Sequence, residues 1–430
     1  MRLAKLSLAA IVALGVSAFA EVSNVQFGGD AKLYYGTNDV DPNDLFDKAN
    51  SYGQAALDLY MGADVGDNAK FKLGVTGVGT LGLENNLVSD TWTDGANGWW
   101  VSEAWLATPV FGNTTLKVGR QELDTPLAFS EKWSIAANTF DAAVLLNNDL
   151  PETTLVAAYV GRGNGAYNGK VVRVDDDAGA GAFDTYGTAI VDAIDCVAGD
   201  GTASALGVKA KGAYAVAAVS KLIPYTTAQV WYYNVQSIAD AWWLQADVDL
   251  NEVLPNLNFG AQYALISLDD KNTINAALGA NFDDSMAWAL KIGYTYNGFK
   301  LMGAYSNVDE DGLVKVANTA TGLINSQSKL YTEAWWNYGY VSAPGAETIH
   351  LDAAYDVEGV ASFGAYFTQV SDAQTMLASK ETADMTEVAL TASRAFGSLG
   401  TTLAYIYTDA DDQNNADAYN TVQVYLTYSF

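Results

Sequence analysis

Asn420-Thr421-Val422-Gln423-Val424-Tyr425-Leu426-Thr427-Tyr428-Ser429-Phe430 ends the chain on a strict two-residue period. Val422, Val424, Leu426, Tyr428 and Phe430 share one parity, and Thr421, Gln423, Tyr425, Thr427 and Ser429 share the other. Alternation of this length describes a strand with one apolar face. A strand of about 9 to 11 residues, tilted by about 45°, also crosses a bilayer core as one stave of a barrel. An amphipathic strand at the edge of a soluble sheet would show the same period, so the decision rests on the rest of the chain.

Alternation places further strands at about 25–35, 53–64, 69–78, 99–107, 114–120, 138–148, 153–161, 212–221, 226–235, 240–250, 256–268, 286–296, 298–306, 347–356, 358–369, 385–395 and 400–409, each bounded to within about 2 to 4 residues. With 420–430 these make about eighteen. After every even-numbered strand the connection is short and carries turn residues, as in Gly66-Asp67-Asn68, Asp149-Leu150-Pro151-Glu152 and Asn297-Gly298. After the odd-numbered strands it is long and polar: 36–52, 79–98, 121–137, 162–211, 269–285, 307–346, 370–384 and 410–419, with Gln236 to Ala239 the one exception. A soluble sandwich or propeller has no reason to sort its connections this way. A transmembrane antiparallel barrel does, with short periplasmic turns and long external loops.

The amino terminus carries Arg2 and Lys5, an apolar run from Leu6 to Phe19, and Ala18-Phe19-Ala20 before Glu21. These are the three parts of a secretory signal peptide, expected over 1–20, which leaves 21–430 as one barrel domain. No run of about 18 apolar residues follows it, so no transmembrane helix is expected. A lone Cys196 has no internal disulfide partner. The formal charge is −28, and loss of Arg2 and Lys5 with the leader takes it to −30. Such a field repels nucleic acid and attracts cations.

Parity also predicts what faces inward. Trp242, Leu244, Ala246 and Val248 alternate with Trp243, Gln245, Asp247 and Asp249, and Ile349 and Leu351 alternate with His350 and Asp352. Burying Asp247 beside Asp249 in a dry core would cost several kcal/mol per ion. The inner face is therefore expected to be wet, lining the aqueous channel that a barrel of this strand number encloses. Its wall candidates are Asp30, Lys32, Asp58, Asp64, Lys70, Lys72, Lys117, Asp247, Asp249, Lys291, Lys300, His350, Asp352, Asp356 and Glu387, with Glu103 and Asp141 beside them. Catalytic chemistry lacks its parts: the only histidine, His350, has no G-x-S-x-G or Cys/His companion, and Gly161 to Gly165 lacks the Lys-Ser/Thr of a phosphate loop. Asp175-Asp176-Asp177, Asp283-Asp284 and Asp409 with Asp411-Asp412 could bridge calcium, although none has an EF-hand spacing and solvated loop acids are the plainer reading. Trp99-Trp100 and Trp242-Trp243 read as interfacial girdle residues. Trp335 and Trp336, in the long loop 307–346, leave a ligand-stacking role open.

Leu116-Lys117-Val118-Gly119-Arg120-Gln121, Thr125-Pro126-Leu127 and Asn138-Thr139-Phe140, leading into a hairpin with Asp149-Leu150-Pro151, carry a family resemblance. With Val25 to Asp30 and the aromatic carboxyl terminus, the chain resembles the OprD-type porins, and looks closest to the major outer membrane porins of epsilon-class proteobacteria. That resemblance implies an eighteen-stranded, usually trimeric pore whose third external loop, here 121–137, folds inward, with the seventh, here 307–346, often contributing. It makes Arg120, Glu122, Asp124, Glu131 and Lys132 candidates for the pore constriction, with Asp309, Glu310 and Asp311 behind them. The arginine ladder of the family's carboxylate-selective members is replaced here by lysines interleaved with acids.

The expectation is thus an outer membrane channel, not an enzyme, through which ions and small hydrophilic solutes diffuse passively with a preference for cations. The alternatives are a substrate-preferring channel of the same fold and a surface structural or adhesive barrel. No cofactor is expected. The expected partners are the lipid bilayer, a homotrimer's other subunits and the outer membrane insertion machinery, which would read Tyr428 and Phe430.

Overall fold

A computed structural model of the chain describes residues 22–89, 97–132, 135–164, 174–175, 179–180, 183–188, 190–191, 208–269, 271–278, 281–321, 326–374 and 381–430. The expected leader at 1–20, Cys196 and the side chains of Asp175-Asp176-Asp177 lie outside the described residues.

The period-two segments form eighteen long strands: β1 Val22–Asn38, β2 Ser51–Val65, β3 Ala69–Gly79, β4 Asn97–Phe111, β5 Thr114–Gln121, β6 Phe140–Asn147, β7 Thr153–Gly163, β8 Ala213–Ser220, β9 Thr226–Val235, β10 Ala239–Asp249, β11 Leu257–Leu268, β12 Ser285–Tyr296, β13 Phe299–Val308, β14 Glu347–Val357, β15 Ala361–Ala373, β16 Ala383–Phe396, β17 Leu399–Ala410 and β18 Tyr419–Ser429. Each pairs antiparallel with the next, and β1 pairs with β18 from Asp30 opposite Ser429 to Asn38 opposite Thr421. The seam ends in two reciprocal backbone bonds of 3.0 Å between Gly29 and Phe430. Gly29 is needed there, because a Cβ would lie 2.4 Å from the Asp58 carbonyl oxygen. The sheet has no open edge, which is the condition for a strand structure to sit in hydrocarbon.

The short connections gather at one rim with both described ends of the chain, and the long ones at the other. Asn297 and Gly298, at φ 48° and 84°, make the two-residue hairpin turn between β12 and β13. Leu244, Leu290, Ile292, Leu301, Leu351, Leu390 and Leu403 stand exposed on the outside. So continuous an apolar belt is unfavourable in water and suited to lipid. Aromatic pairs border it, with Tyr232–Trp242 and Trp288–Tyr305 toward the loop rim and Tyr294–Tyr296 and Phe299–Tyr355 toward the turn rim. The expected tryptophan girdle is half right: Trp99 and Trp242 face out, whereas Trp100 and Trp243 are buried on the inner face. Adjacent residues on a strand cannot share a face.

The inner face differs from the expectation of a wet wall. Toward the loop rim it is packed: Trp243 is 0% exposed, among Ala264, Ile266, Ala287 and Ala289 from the wall and Val314, Val316, Leu330 and Val341 from loop 307–346. That loop folds inward and closes over small wall residues, so water-facing charges are confined to the middle and the turn half of the lumen.

Because Phe430 supplies both the last seam bonds and an outward aromatic ring stacked near Tyr428, its deletion is expected to lower the folded, heat-modifiable fraction on gels severalfold. A truncation that folds to the full yield would refute the importance of this end of the seam.

Candidate functional site

Two loops meet inside the barrel. The described residues of 122–139 leave β5 and turn inward, and the described residues of 309–346 leave β13 and pack on them. Leu127 O accepts from Thr319 N at 3.0 Å and Oγ1 at 2.6 Å, and Phe129 O accepts from Asn318 Nδ2 at 2.8 Å. Lys329 Nζ reaches Asp124 at 2.9 Å and lies over the Phe129 ring. The long loop is also tied to the wall: Tyr331 donates to Asp247 at 2.7 Å, Gln262 bonds both Lys329 O and Tyr331 N, and Glu387 accepts from Trp336 N at 3.1 Å and Asn337 N at 2.8 Å. Lys315 donates to Gly339 O at 2.6 Å, and burial pulls its ammonium down to about 8.

Between the loops and the wall lies a lumenal chamber of about 560 Å3. Lys132, Trp335, Trp336, His350, Asp352 and Tyr366 are among its lining. Lys132, 68% exposed, pairs with Glu122 at 2.6 Å, and that bond raises the lysine's pKa. Burial pushes the Glu333 carboxyl, bonded to Ser328, well up.

The wall charges below and beside the chamber are mostly paired. Asp58 bonds Lys32 at 2.6 Å and Thr76 at 2.6 Å, Lys291 bonds Asp247 at 2.7 Å, and Lys72 bonds Glu103. Lys117 lies 4.3 Å over the Trp105 ring. Asp30 bonds Ser429 near the seam, Lys300 stands 4.0 Å from Asp356 at the turn rim, and Asp249 caps the turn at Asn251. These positions match the parity assignment. His350 does face inward, but it is only 4% exposed and bonds Thr368 at 2.9 Å, so it is a packed wall residue rather than a solvated one.

Five of the eight constriction assignments, and the wall assignment of Asp141, need correction. Arg120 shares its parity with outward-facing Val118, not with Lys117 and Gln121, because Gly119 continues the alternation without a register shift. Its guanidinium forks onto Asp141, at 2.8 and 3.2 Å, beside Arg162, and stacks on Phe183. Asp141 alternates with buried Phe140 and Ala142, so it too leaves the inner wall. Arg120 and Asp141 thus form a clamp at the loop rim, capped by Phe183, which packs against the Trp100 cluster. Glu131 is inside but 1% exposed, accepting from Asn318 Nδ2 at 2.9 Å, Thr321 Oγ1 at 2.5 Å and Gln327 N at 3.3 Å. It joins the loops and does not face the passage. Asp309, Glu310 and Asp311 stay at the rim, where Asp309 O takes Gly345 N and Asp311 O takes Asp283 N. Glu122, Asp124 and Lys132 remain as constriction candidates. Of the acidic loop pairs, Asp283 and Asp284 both bond the Lys271 ammonium, at 2.6 and 3.0 Å, which lowers the Asp283 pKa.

Asn318, Thr321, Gln262 and Tyr366 were not distinguished by the sequence. They are ordinary polar or aromatic residues whose partners lie tens or hundreds of positions away, and no local spacing marks them.

No protein-family model matches the chain, and no curated protein matches it. Solved structures do. The chain is similar to Pseudomonas aeruginosa OccK8 (OprE), with 15% identity, 95% of this chain and 98% of that chain covered, and a TM-score of 0.68. Acinetobacter baumannii OccAB3 gives 12%, 95%, 99% and 0.67, and P. aeruginosa OpdK, solved with vanillate, gives 11%, 95%, 98% and 0.67. These structural neighbours are OprD/Occ-family porins, and the likeness establishes the closed eighteen-stranded fold over nearly the whole chain.

Glu131→Ala should leave the Asn318, Thr321 and Gln327 donors unpaired, at a cost of about 1 to 3 kcal/mol per buried group. Trypsin should then cut the long loop at Lys315 or Lys329 at least several times faster while the barrel stays folded. Equal cleavage rates would show that Glu131 does not hold the loops together.

Proposed function

We propose that the chain is an OprD-type outer membrane porin: a water-filled channel for passive diffusion of ions and small hydrophilic solutes, with a preference for cations. The observation that carries this reading is the inversion of the barrel's two faces. Outside stands a belt of leucines and aromatics, and inside stand partly exposed ion pairs such as Lys32–Asp58 and Lys291–Asp247. A charged interior in a shell with a lipid-suited exterior is the physical form of an aqueous channel. The narrower likeness to the major porins of epsilon-class proteobacteria rests on residues 116 to 161, and trimer formation rests on that family likeness.

Cation preference follows from charge. The chain has 50 acids against 22 bases, and Asp352 adds a negative site in the chamber without a paired lysine. Export by the leader and insertion through recognition of Tyr428 and Phe430 accord with the apolar outer belt. The chamber favours the substrate-preferring alternative over a featureless pore, because its walls combine aromatic, acidic and basic groups around one open hollow. The adhesive alternative requires no conduction. For enzymatic turnover, the one histidine, His350, does meet a hydroxyl at Thr368, but the two are 4% and 0% exposed and so closed to a substrate.

In planar bilayers with a tenfold KCl gradient, the purified protein should give a zero-current potential of the sign for potassium over chloride. Asp58→Asn, which frees the Lys32 ammonium, should move it toward zero, and Lys32→Gln should move it the other way. Anion preference would overturn the selectivity reading, and an absence of conductance would favour the adhesive one.

A further inference from the structure

Trp335 and Trp336 stand half-exposed in the lumen, although an indole facing water gains nothing from its apolar surface unless a solute covers it. Trp335 packs on Tyr366 with ring centroids 5.1 Å apart, and Tyr366 is directly opposite Asp352 in the pairing of β14 with β15. The wall is shaped for that ring: a Cβ at Gly364, two residues before Tyr366 on the same face, would come within 2.7 Å of the Tyr366 Oη. Asp352 itself differs from the other mid-barrel acids. Asp58, Glu103 and Asp247 each have a lysine, and Glu387 is bonded by backbone and Asn337, whereas Asp352 has no hydrogen bond or contact ion pair among the described residues: Lys300, diagonal to it on β13 and 4.0 Å from Asp356, acts on it only through its field. Met302, its neighbour across β13, adds a thioether and no charge.

A carboxylate without a hydrogen bond or contact ion pair, beside two aromatic rings tilted by 32°, matches one solute chemistry. A bare metal ion needs several converging oxygens, and this corner of the chamber has one carboxylate set among rings. An anion would face Asp352 while the chamber's lysine, Lys132, is engaged by Glu122 at 2.6 Å. An alkylammonium spreads its charge over methyl groups, sheds water readily and is attracted both to ring faces and to a carboxylate. The chamber, at about 560 Å3, would hold such an ion and leave room for it to move on.

We propose that Trp335, Tyr366 and Asp352 form a transit subsite for small organic cations of the quaternary ammonium class. The subsite rests on the channel reading above and names the solute that its chamber selects. Trp335 supplies the face that the cation's methyl groups cover, Tyr366 extends it, and Asp352 is the counter-charge at its base. Occupancy is brief and blocks current while it lasts.

The test is single-channel recording of the purified full chain in KCl with choline, its neutral isostere 3,3-dimethylbutan-1-ol, or vanillate added. Choline should give a saturable block, and the neutral isostere should need about tenfold more or give none. Asp352→Asn should weaken the choline block by about tenfold. Trp335→Leu should weaken it similarly, and Trp335→Phe, which keeps a ring, should restore most of it. A normal KCl conductance with no choline block, with equal block by the isostere, or with tighter block by vanillate would overturn the subsite and leave the channel standing. An absence of KCl conductance would overturn the channel reading itself.

Discussion

Backbone hydrogen bonding in a medium without water is the constraint on which the structure depends. Each N–H and C=O within a bilayer needs a protein partner, and a sheet meets that need only by closing on itself. The reciprocal bonds between Gly29 and Phe430 complete the closure, and the absence of a side chain at Gly29 permits it. Closure then sorts every other residue, because each strand must turn one parity toward lipid and the other toward the lumen. Aromatic pairs at both borders and leucines between them are consequences of that sorting.

Closing eighteen strands creates an interior that the wall cannot fill, and the chain packs its loop end with its own loops. Small inward residues such as Ala264, Ala287 and Ala289 leave room at the loop end, which Val314, Val316, Leu330 and Val341 of the long loop occupy. A polar loop can be buried this way only if its backbone finds partners. Glu131, Glu387 and Gln262 provide them from three sides, so buried acids here act as acceptors for neutral donors rather than as pore charges. The chamber is what remains between the packed loop end and the ion-paired lower wall. Its chemistry comes from residues that no single strand or loop could bring together.

The fold was legible because its signals are local. Strand positions follow from alternation, strand faces from parity, and the direction of the barrel from the contrast between Asn297-Gly298 and a loop of forty residues. Strand ends such as 226–235 agree with the structure to the residue. The site was legible only where parity applies. Lys32, Asp58, Asp247 and Lys291 were placed correctly on the wall, and strict use of parity would also have moved Arg120 outward with Val118. Loop residues have no parity, so Glu131 and Lys132, adjacent in sequence, could not be separated into a buried tie and an exposed cation.

By itself, then, the sequence determined the closed antiparallel barrel, the number of its strands and the polarity of its two faces, since these depend on a residue's character and its position within a strand. Tertiary structure alone decided which charges face water. It paired Lys291 with Asp247, sank Glu131 beneath Asn318 and Thr321, and left Asp352 without a hydrogen bond or contact ion pair beside Trp335 and Tyr366. The physical reason is that solvation and pairing depend on distances between residues far apart in the chain, and those distances exist only once the sheet has closed and the loops have entered it.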